Sequence, residues 1–231
     1  MHIVENMEGD PQINSIEYND DCTLLAVGGA NPKIRIYDTK TRKLKHLLDG
    51  QGSLMPGHSN RVFCVRFVKG QNIVISSGWD HRMIFWDLET GEPLDSLNEL
   101  RVFGDGIDIS QGVLLTSNFR ERKSIQLYDL NTRKEINFLN SGNIEFGIEN
   151  ENTKHNTMAY FGKFDRILGK YILTGGTSPN RVYLLDISNK QYAVFSGFAN
   201  EIYCGDWNST NSLIAFSGKE GSIWIYKVAL T

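Results

Sequence analysis

The stretch Gly57–Asp87 reads GHSNRVFCVRFVKGQNIVISSGWDHRMIFWD. A Gly-His pair opens it, a Trp-Asp pair closes it, and three short apolar runs lie between the two pairs. Val62–Phe67 contains the first run, Ile73–Ile75 the second and Met83–Trp86 the third. Short runs that are rich in β-branched and aromatic residues, and that are bounded by Gly, Asn and Asp, are typical of β-strands. The stretch therefore predicts three successive strands joined by turns.

The last of these runs recurs along the chain as an apolar strand that ends in an aromatic-Asp or similar pair. The five copies are IRIYD (Ile34–Asp38), MIFWD (Met83–Asp87), IQLYD (Ile125–Asp129), VYLLD (Val182–Asp186) and IWIYK (Ile223–Lys227). Their last residues are 49, 42, 57 and 41 positions apart. Propeller blades of four strands repeat at roughly 40–45 residues. The spacing therefore predicts five blade-sized units that cover nearly the whole chain.

Together, the Gly-His opening, the Trp-Asp ending and this spacing resemble the WD-repeat family. The resemblance implies an all-β fold, a β-propeller of four-stranded antiparallel blades, with five blades recognisable in one domain spanning residues 1–231. The expected blades are residues 9–50, 57–98, 101–140, 157–196 and 197–231. Only VALT follows Lys227, so residues 1–6, with His2–Val4 as the strand, are expected to complete the last blade as a clasp. Residues 141–156 are expected to form a surface loop before the fourth blade.

The resemblance also implies a buried hydrogen-bond relay in the second blade, formed by His58, Asp80, Ser76 and Trp86. A buried imidazole, carboxylate and indole N–H each need a partner, and satisfying all of them would fix two loops. Serine, histidine and aspartate also form hydrolase triads. Ser76, however, lies inside a predicted strand and has no glycine elbow around it, which favours the structural role.

Turns between the second and third strands, and segments before the first strands, are expected to carry the partner-binding residues, because recognition groups lie on loops of rigid scaffolds. The candidates are Asn31, Asn60, Arg61, Trp79, His81, Phe119, Arg120, Arg122, Asn180, Asn200 and Lys219. Trp79 is the strongest candidate, since Trp and Arg are enriched at binding hot spots. The alternative is that the Trp79 ring packs over the edge of its own blade. The basic run Arg120–Lys123 is read as a solvated loop, with an acidic partner as the alternative.

Composition excludes several function classes. The net charge is −3 and the pI about 6.0, so no basic surface for nucleic acid is predicted. No run of 18 apolar residues and no secretory signal occurs, which predicts neither a membrane segment nor export. The three cysteines fit reduced thiols in the cytoplasm or nucleus. No phosphate loop, CxxC pair or metal-ligand spacing of histidines occurs, so neither a cofactor nor a metal is predicted.

The sequence therefore predicts a non-catalytic scaffold or adaptor that displays loop residues to protein or peptide partners. The alternative from another class is a propeller hydrolase or lyase with its site at the central channel, which would need converging carboxylates. A third reading is that the chain is a fragment of a larger WD-repeat protein. Open blade edges would then invite self-association, because unpaired edge strands pair with other chains.

Overall fold

The computed structural model describes residues 12–136, 157–187 and 192–230. Strands and turns make up these ranges, and no segment within them is a helix of the length and hydropathy needed to cross a membrane. The expected clasp at residues 1–6 and the expected loop at residues 141–156 lie outside the described residues. The chain divides into two compact units, Met1–Phe103 and Gly104–Thr231.

The first unit contains two four-stranded antiparallel sheets, blades one and two, each a meander in chain order. Their strands are β1 (Ile13–Tyr18), β2 (Leu24–Gly29), β3 (Ile34–Asp38), β4 (Leu44–Leu48), β5 (Val62–Phe67), β6 (Ile73–Gly78), β7 (Met83–Asp87) and β8 (Pro93–Leu97). Successive side chains of a strand point to opposite faces of its sheet. Ala26, Ile34 and Ile36 of blade one thus share the face that packs against Val74 and Trp86 of blade two.

The second unit contains blades three, four and five. Their strands are β9 (Ile107–Ser110), β10 (Val113–Ser117), β11 (Ile125–Asp129), β12 (Glu135–Ile136), β13 (Met158–Phe164), β14 (Tyr171–Thr177), β15 (Val182–Asp186), β16 (Tyr192–Phe195), β17 (Ile202–Trp207), β18 (Leu213–Gly218) and β19 (Ile223–Lys227). Blades three and four have four antiparallel strands, and blade five has three among the described residues. One apolar cluster joins blades three and four, and another joins blades four and five.

A buried carboxylate organises the turn after β13. The side chain of Asp165 accepts backbone N–H bonds from Ile167, Leu168, Lys170 and Tyr171 at 2.6–3.1 Å, and a fifth bond from Asn211 Nδ2 at 2.7 Å. Burial alone would raise the pKa of Asp165, but the backbone donors outweigh it and lower this pKa below its ordinary value. The turn is thereby held against blade five, from which Asn211 comes.

The sequence prediction of an all-β fold with repeated four-stranded antiparallel sheets is confirmed. Each unit is a meander, in which a short turn returns the chain to pair with the strand just completed. The single domain that the sequence predicts stays a prediction.

Candidate interaction site

In blade two, four polar side chains form a continuous hydrogen-bond relay. His58 Nδ1 lies 3.0 and 2.9 Å from the two carboxylate oxygens of Asp80, and His58 Nε2 lies 2.8 Å from Ser76 Oγ. Trp86 Nε1 donates to the same Ser76 oxygen at 2.8 Å. Since the indole can only donate, the serine hydroxyl proton is left for His58 Nε2, and His58 Nδ1–H is left to donate to Asp80. Every member of the relay thus has a partner.

The electrostatics of the relay favour an ionised Asp80. Burial alone would raise the pKa of Asp80, but the hydrogen bond and the attraction from His58 outweigh it. The backbone N–H groups of Ser59 and Arg82 also donate to this carboxylate, at 3.0 and 3.3 Å. The net result is a pKa of Asp80 below its ordinary value. The carboxylate therefore ties the segment before β5 to the β6–β7 turn.

These serine, histidine and aspartate side chains are placed as in a hydrolase triad, but the serine cannot meet a substrate. Ser76 lies in the middle of β6 and is fully buried, and its oxygen accepts the indole proton of Trp86. A nucleophilic serine needs an open approach to the scissile carbonyl. The contacts of this group are those of a structural link between two loops.

The β6–β7 turn that the relay fixes carries Trp79, whose side chain stays 48% exposed. Trp79 N–H donates to Arg61 O at 2.9 Å, and His81 N–H donates to Gly78 O at 3.2 Å. His81 has a φ of +61°, a left-handed conformation in which the turn closes tightly. The backbone beneath Trp79 is therefore held at several points.

Three aromatic rings and a guanidinium lie together at this turn. The Trp79 ring stacks on Phe103 with 5.0 Å between ring centroids and 14° between planes, and it lies 5.5 Å from Phe63. Arg61 Cζ lies 5.8 Å from the centre of the Trp79 ring, within cation–π range. His81 reaches Phe103 at 6.1 Å. We call Arg61, Phe63, Trp79, His81 and Phe103 the blade-two aromatic patch.

Phe63 and Phe103 are absent from the residues that the sequence nominates. Phe63 lies at a β-bulge, since the register of β5 against β6 shifts between Val62 and Cys64. A bulge breaks the alternation of the strand and re-aims a side chain. The sequence VFCVRF does contain a signal for this bulge, because Phe63 is apolar at a position where strict alternation expects a polar residue. Phe103 lies 40 positions after Phe63 in an irregular segment, and no local sequence pattern predicts its contacts with Phe63 and Trp79.

The other nominated residues of the first unit take part in local turns. Asn31 Oδ1 accepts a bond from Lys33 N–H at 2.9 Å in the β2–β3 turn. Asn60 is exposed, and its Oδ1 accepts a bond from Arg61 N–H at 2.8 Å. Asn60 therefore shapes the backbone that positions the Arg61 side chain, while Asn31 shapes a different turn.

In the second unit, Phe119 belongs to a smaller aromatic group. Its ring lies 4.9 Å from Tyr160, and Tyr160 lies 5.1 Å from Tyr203 edge to face. Burial, with the nearby Tyr203 and Glu201, raises the pKa of Tyr160. Tyr160 and Tyr203 stand at register shifts in β13 and β17 that match the bulge at Phe63. The same bulge thus presents an aromatic side chain in blades two, four and five.

Arg120 is turned partly inward rather than displayed. Its guanidinium donates to Gln126 Oε1 inside blade three, where Asn118 Nδ2 donates to the same oxygen at 3.3 Å and to Thr116 Oγ1 at 3.1 Å. Arg122, in contrast, is exposed in the same turn. The basic run Arg120–Lys123 is therefore not a uniform charged surface, because one of its cations serves a buried polar network.

The remaining nominated residues are engaged with their neighbours in blades four and five. Asn180 Nδ2 donates to Phe198 O at 3.3 Å, and Asn200 N–H donates to Glu220 Oε1 at 3.0 Å. Lys219 Nζ lies 3.7 Å from Glu201 Oε2. These contacts link successive turns of the second unit. They do not gather around one exposed side chain as the contacts of Trp79 do.

Blade five replaces the relay of blade two with packed aromatic rings. Phe198 and Phe216 stand at the positions of His58 and Ser76, and their ring centroids lie 5.5 Å apart. Phe216 also stacks on Tyr226, which stands at the Trp86 position, at 5.5 Å. Among the described residues, only blade two therefore joins its loops through the full His–Asp–Ser–Trp set. Within the same ranges, no group of three or more His, Cys, Asp or Glu side chains could hold a metal ion.

The repeated antiparallel meander and the relay that closes one of its units define a β-propeller protein. The family model of the WD domain, G-beta repeat, matches residues 3–38 and 51–87. The second match contains all four relay residues. The resemblance of this chain to the WD-repeat family is therefore confirmed.

Similar proteins agree with this assignment. The WD repeat-containing protein 89 homolog of Dictyostelium discoideum is 26% identical over 137 residues, which is 59% of this chain and 34% of that protein. The SAGA complex subunit SPT8 of Saccharomyces cerevisiae is 23% identical over 155 residues, 66% of this chain and 21% of that protein. The β-propeller domain of Myceliophteria thermophila Cps50 (Swd1) has a TM-score of 0.71 at 14% identity, covering 98% of this chain and 68% of that one. The matched part of the chain thus spans about a third or less of the length of the Dictyostelium and Saccharomyces relatives.

Proposed function

We propose that this chain is a non-catalytic interaction scaffold that binds a protein or peptide segment at the blade-two aromatic patch. The observation that carries the proposal is the half-exposed Trp79 ring, stacked on Phe103 and flanked by Arg61, on a turn that the buried relay holds. A relative named as a SAGA complex subunit supports a role within a protein assembly. WD-repeat relatives in general support protein binding over catalysis.

Rigidity of the patch supports binding, because a preorganised surface loses little conformational entropy when a partner docks. The motion of Trp79 is restricted, since its ring contacts both Phe63 and Phe103, which also contact each other, and its backbone N–H donates to Arg61 O. The free protein therefore already holds the geometry that a partner would meet.

The chemistry of the patch indicates the kind of partner. A flat indole edge and two phenyl rings offer apolar contact area, and Arg61 offers a cation beside it. An aromatic or aliphatic side chain next to a carboxylate would satisfy both features. We therefore propose a short peptide segment with an apolar residue adjacent to Asp or Glu.

The experiment is to pan a random peptide display library against the immobilised full chain and to measure the selected peptides on purified variants. Trp79→Ala should weaken the selected peptides by about 30-fold, which corresponds to about 2 kcal/mol at a hot spot. The melting temperature should stay that of the wild type, because about half of the Trp79 side chain is already exposed.

Leu94→Ala is the matched control, since Leu94 lies in the same blade and is 49% exposed but stands outside the patch. It should bind the peptides as the wild type does. Selected peptides that bind wild type and Trp79→Ala equally would place the interaction elsewhere. A fall in melting temperature equal to that of a core variant would assign Trp79 to packing instead.

The same proposal includes a cytoplasmic or nuclear location, which three free cysteines support, two of them exposed. It also includes self-association through an open sheet edge. One such edge is β19, which pairs with β18 and has no second strand partner among the described residues.

A further inference from the structure

A cleft lies between blades one and two, within the first unit. Two turns form it, residues 19–23 between β1 and β2 and residues 68–72 between β5 and β6. Its volume is about 360 Å³, at the low end of the roughly 300–1,000 Å³ that is typical of ligand pockets. Successive turns of a meander lie at opposite ends of its strands, so the β5–β6 turn and the β6–β7 turn flank β6 at opposite ends. The cleft is therefore separate from the blade-two aromatic patch.

Apolar side chains form the floor of this cleft. Leu24 and Leu88 belong to the core that blades one and two share, and the partly buried Phe67 packs against the same core. Val68 adds a fourth apolar side chain and is 3% exposed. The close packing of the core beneath fixes the shape of the floor. The floor can therefore receive the aliphatic part of a ligand without rearrangement.

Polar side chains form the rim of the cleft, and the rim is negatively charged. Asp20 and Asp21 lie on the first turn, and Gln71 and Asn72 lie on the second. All four side chains are exposed. The lining contains these two carboxylates but no lysine or arginine. A cation would therefore be attracted to this rim, and the carboxamide oxygens could accept further hydrogen bonds from it.

The two carboxylates are available to a ligand. Neither Asp20 nor Asp21 forms an ion pair with any residue that the structure describes. Hydrogen bonds from the Thr23 hydroxyl and N–H, at 2.6 and 3.0 Å, reach Asp21 Oδ1 and lower the pKa of Asp21 below its ordinary value. They keep the carboxylate ionised and leave Oδ2 for other contacts. The neighbouring cation on β5, Arg66, lies 3.6 Å from Glu17 Oε1 instead.

An apolar floor beside an anionic rim matches a side chain that is divided in the same way. Arginine has an aliphatic stem and a planar cation with five N–H donors. The guanidinium can bind a carboxylate through two parallel hydrogen bonds, and it can stack on an aromatic ring such as that of Phe67. A metal ion fits less well, because no group of three or more His, Cys, Asp or Glu side chains in the described ranges could hold one.

We propose that this cleft binds an arginine side chain of a protein or peptide partner. The stem lies over Phe67 and Leu88, and the guanidinium lies at Asp20 and Asp21. The small volume favours one extended side chain over a larger ligand. The proposal does not depend on peptide binding at the aromatic patch, because the two sites lie at opposite ends of β6 and select groups of opposite charge.

The test is a titration of the isotope-labelled full chain with N-acetyl-arginine methylamide, followed by NMR. Backbone amides of residues 19–23 and 68–72 should shift and saturate, with a dissociation constant on the order of 1 mM for so small a probe. The citrulline analogue has nearly the same shape without the charge and should bind about tenfold more weakly. The lysine analogue keeps the charge but lacks the planar fork, so it should also bind more weakly than the arginine probe.

The double variant Asp20→Asn with Asp21→Asn removes both charges and preserves side-chain size. Its affinity for the arginine probe should fall about tenfold. Its melting temperature should stay close to that of the wild type, because both side chains are exposed and asparagine can still accept the bonds of Thr23. Glu89→Gln with Glu92→Gln is the matched control, since it removes two exposed carboxylates of the same unit from outside the lining. This control should bind the probe as the wild type does.

Four results would overturn the proposal. The amides of the two turns could fail to shift or to saturate. The citrulline analogue could bind as tightly as the arginine probe, which would leave the carboxylates without a role. The lysine analogue could bind equally well, which would make the cleft a site for any cation. The Asp20 and Asp21 double variant could also bind no worse than the control pair. Trp79→Ala should leave all of these affinities unchanged, so a failure at the aromatic patch can be distinguished from a failure here.

Discussion

Trp86 Nε1 and His58 Nε2 both lie 2.8 Å from one atom, the hydroxyl oxygen of Ser76. This shared oxygen joins the third strand of blade two to the segment before its first strand. Removing this oxygen leaves two buried nitrogen groups, His58 Nε2 and Trp86 Nε1, without their hydrogen-bond partner. The contact area of Ser76 alone would not suggest so large an effect. The consequences can be measured residue by residue.

Ser76→Ala should lower the free energy of unfolding by about 2–4 kcal/mol, because two buried nitrogen groups lose their partner. Ser77→Ala is the control. Ser77 is equally buried, but its oxygen has no hydrogen-bond partner among the described residues, so removing it should change stability little or increase it. Denaturant unfolding of both variants provides the measurement. Equal losses from the two would mean that the relay contributes no more than ordinary packing.

Gly78→Ala should destabilise blade two although it adds a single methyl group. A Cβ at this position would lie 2.8 Å from His58 Nδ1, 2.9 Å from Asp80 Oδ1 and 3.0 Å from Arg61 O. Crowding of this kind typically costs about 1–3 kcal/mol. The thermal melt should fall, and peptide binding at Trp79 should weaken with it, since both depend on the same turn. An unchanged melt would show that the relay can yield without cost.

Acid should remove the contribution of Asp80 to stability. The pKa of Asp80 is lowered in the folded state, so its stabilisation is complete above the unfolded value of about 4 and disappears as pH falls through the lowered value. The pKa of Asp165 in the second unit is also lowered, by backbone hydrogen bonds, so its contribution to stability should likewise be lost in acid. Asp80→Asn should therefore be less stable than the wild type at pH 7, with the gap narrowing below about pH 4. A gap that stays constant from pH 7 to pH 3 would contradict this origin.

Phe198→His should not rebuild a relay in blade five. The imidazole would face Phe216 in place of a serine, and the acidic residue of the next turn, Glu220, already accepts bonds from Asn200. A buried polar group without a partner costs about 1–3 kcal/mol. Phe198→Leu, which keeps the site apolar, should lose less. The unfolding midpoints of Phe198→His and Phe198→Leu provide the measurement. A histidine variant more stable than the leucine variant would contradict this prediction.

Much of the fold could be read from the sequence because strand signals here are local. Runs such as IVIS and MIFWD combine β-branched and aromatic residues with turn residues at both ends, and the structure places strands there. The contact between His58 and Asp80 could be anticipated from the resemblance to the WD-repeat family, which the Gly-His and Trp-Asp pairs of this stretch carry.

The aromatic patch could not be read in the same way. Phe63 depends on a bulge, which sequence alternation does not specify, and Phe103 depends on a contact formed 40 positions from Phe63. The sequence was equally unable to predict which side chains of blade five are buried. IWIYK and MIFWD have almost the same apolar pattern, yet Ile225 is 65% exposed and Phe85 is 1% exposed. Exposure depends on what lies against the sheet, and a strand does not encode its neighbour.

The uneven exposure of the indoles makes the chain its own optical probe. Trp86 and Trp207 are buried and Trp224 is partly so, which leaves Trp79 as the ring that a dissolved quencher such as iodide would reach most readily. Emission from Trp79 should therefore be dimmed first, and at the red side of the spectrum where hydrated indoles emit. Protection of the Trp79 emission from iodide would report that the aromatic patch is occupied. The unlabelled protein is sufficient for this measurement, and the partner need not be identified beforehand.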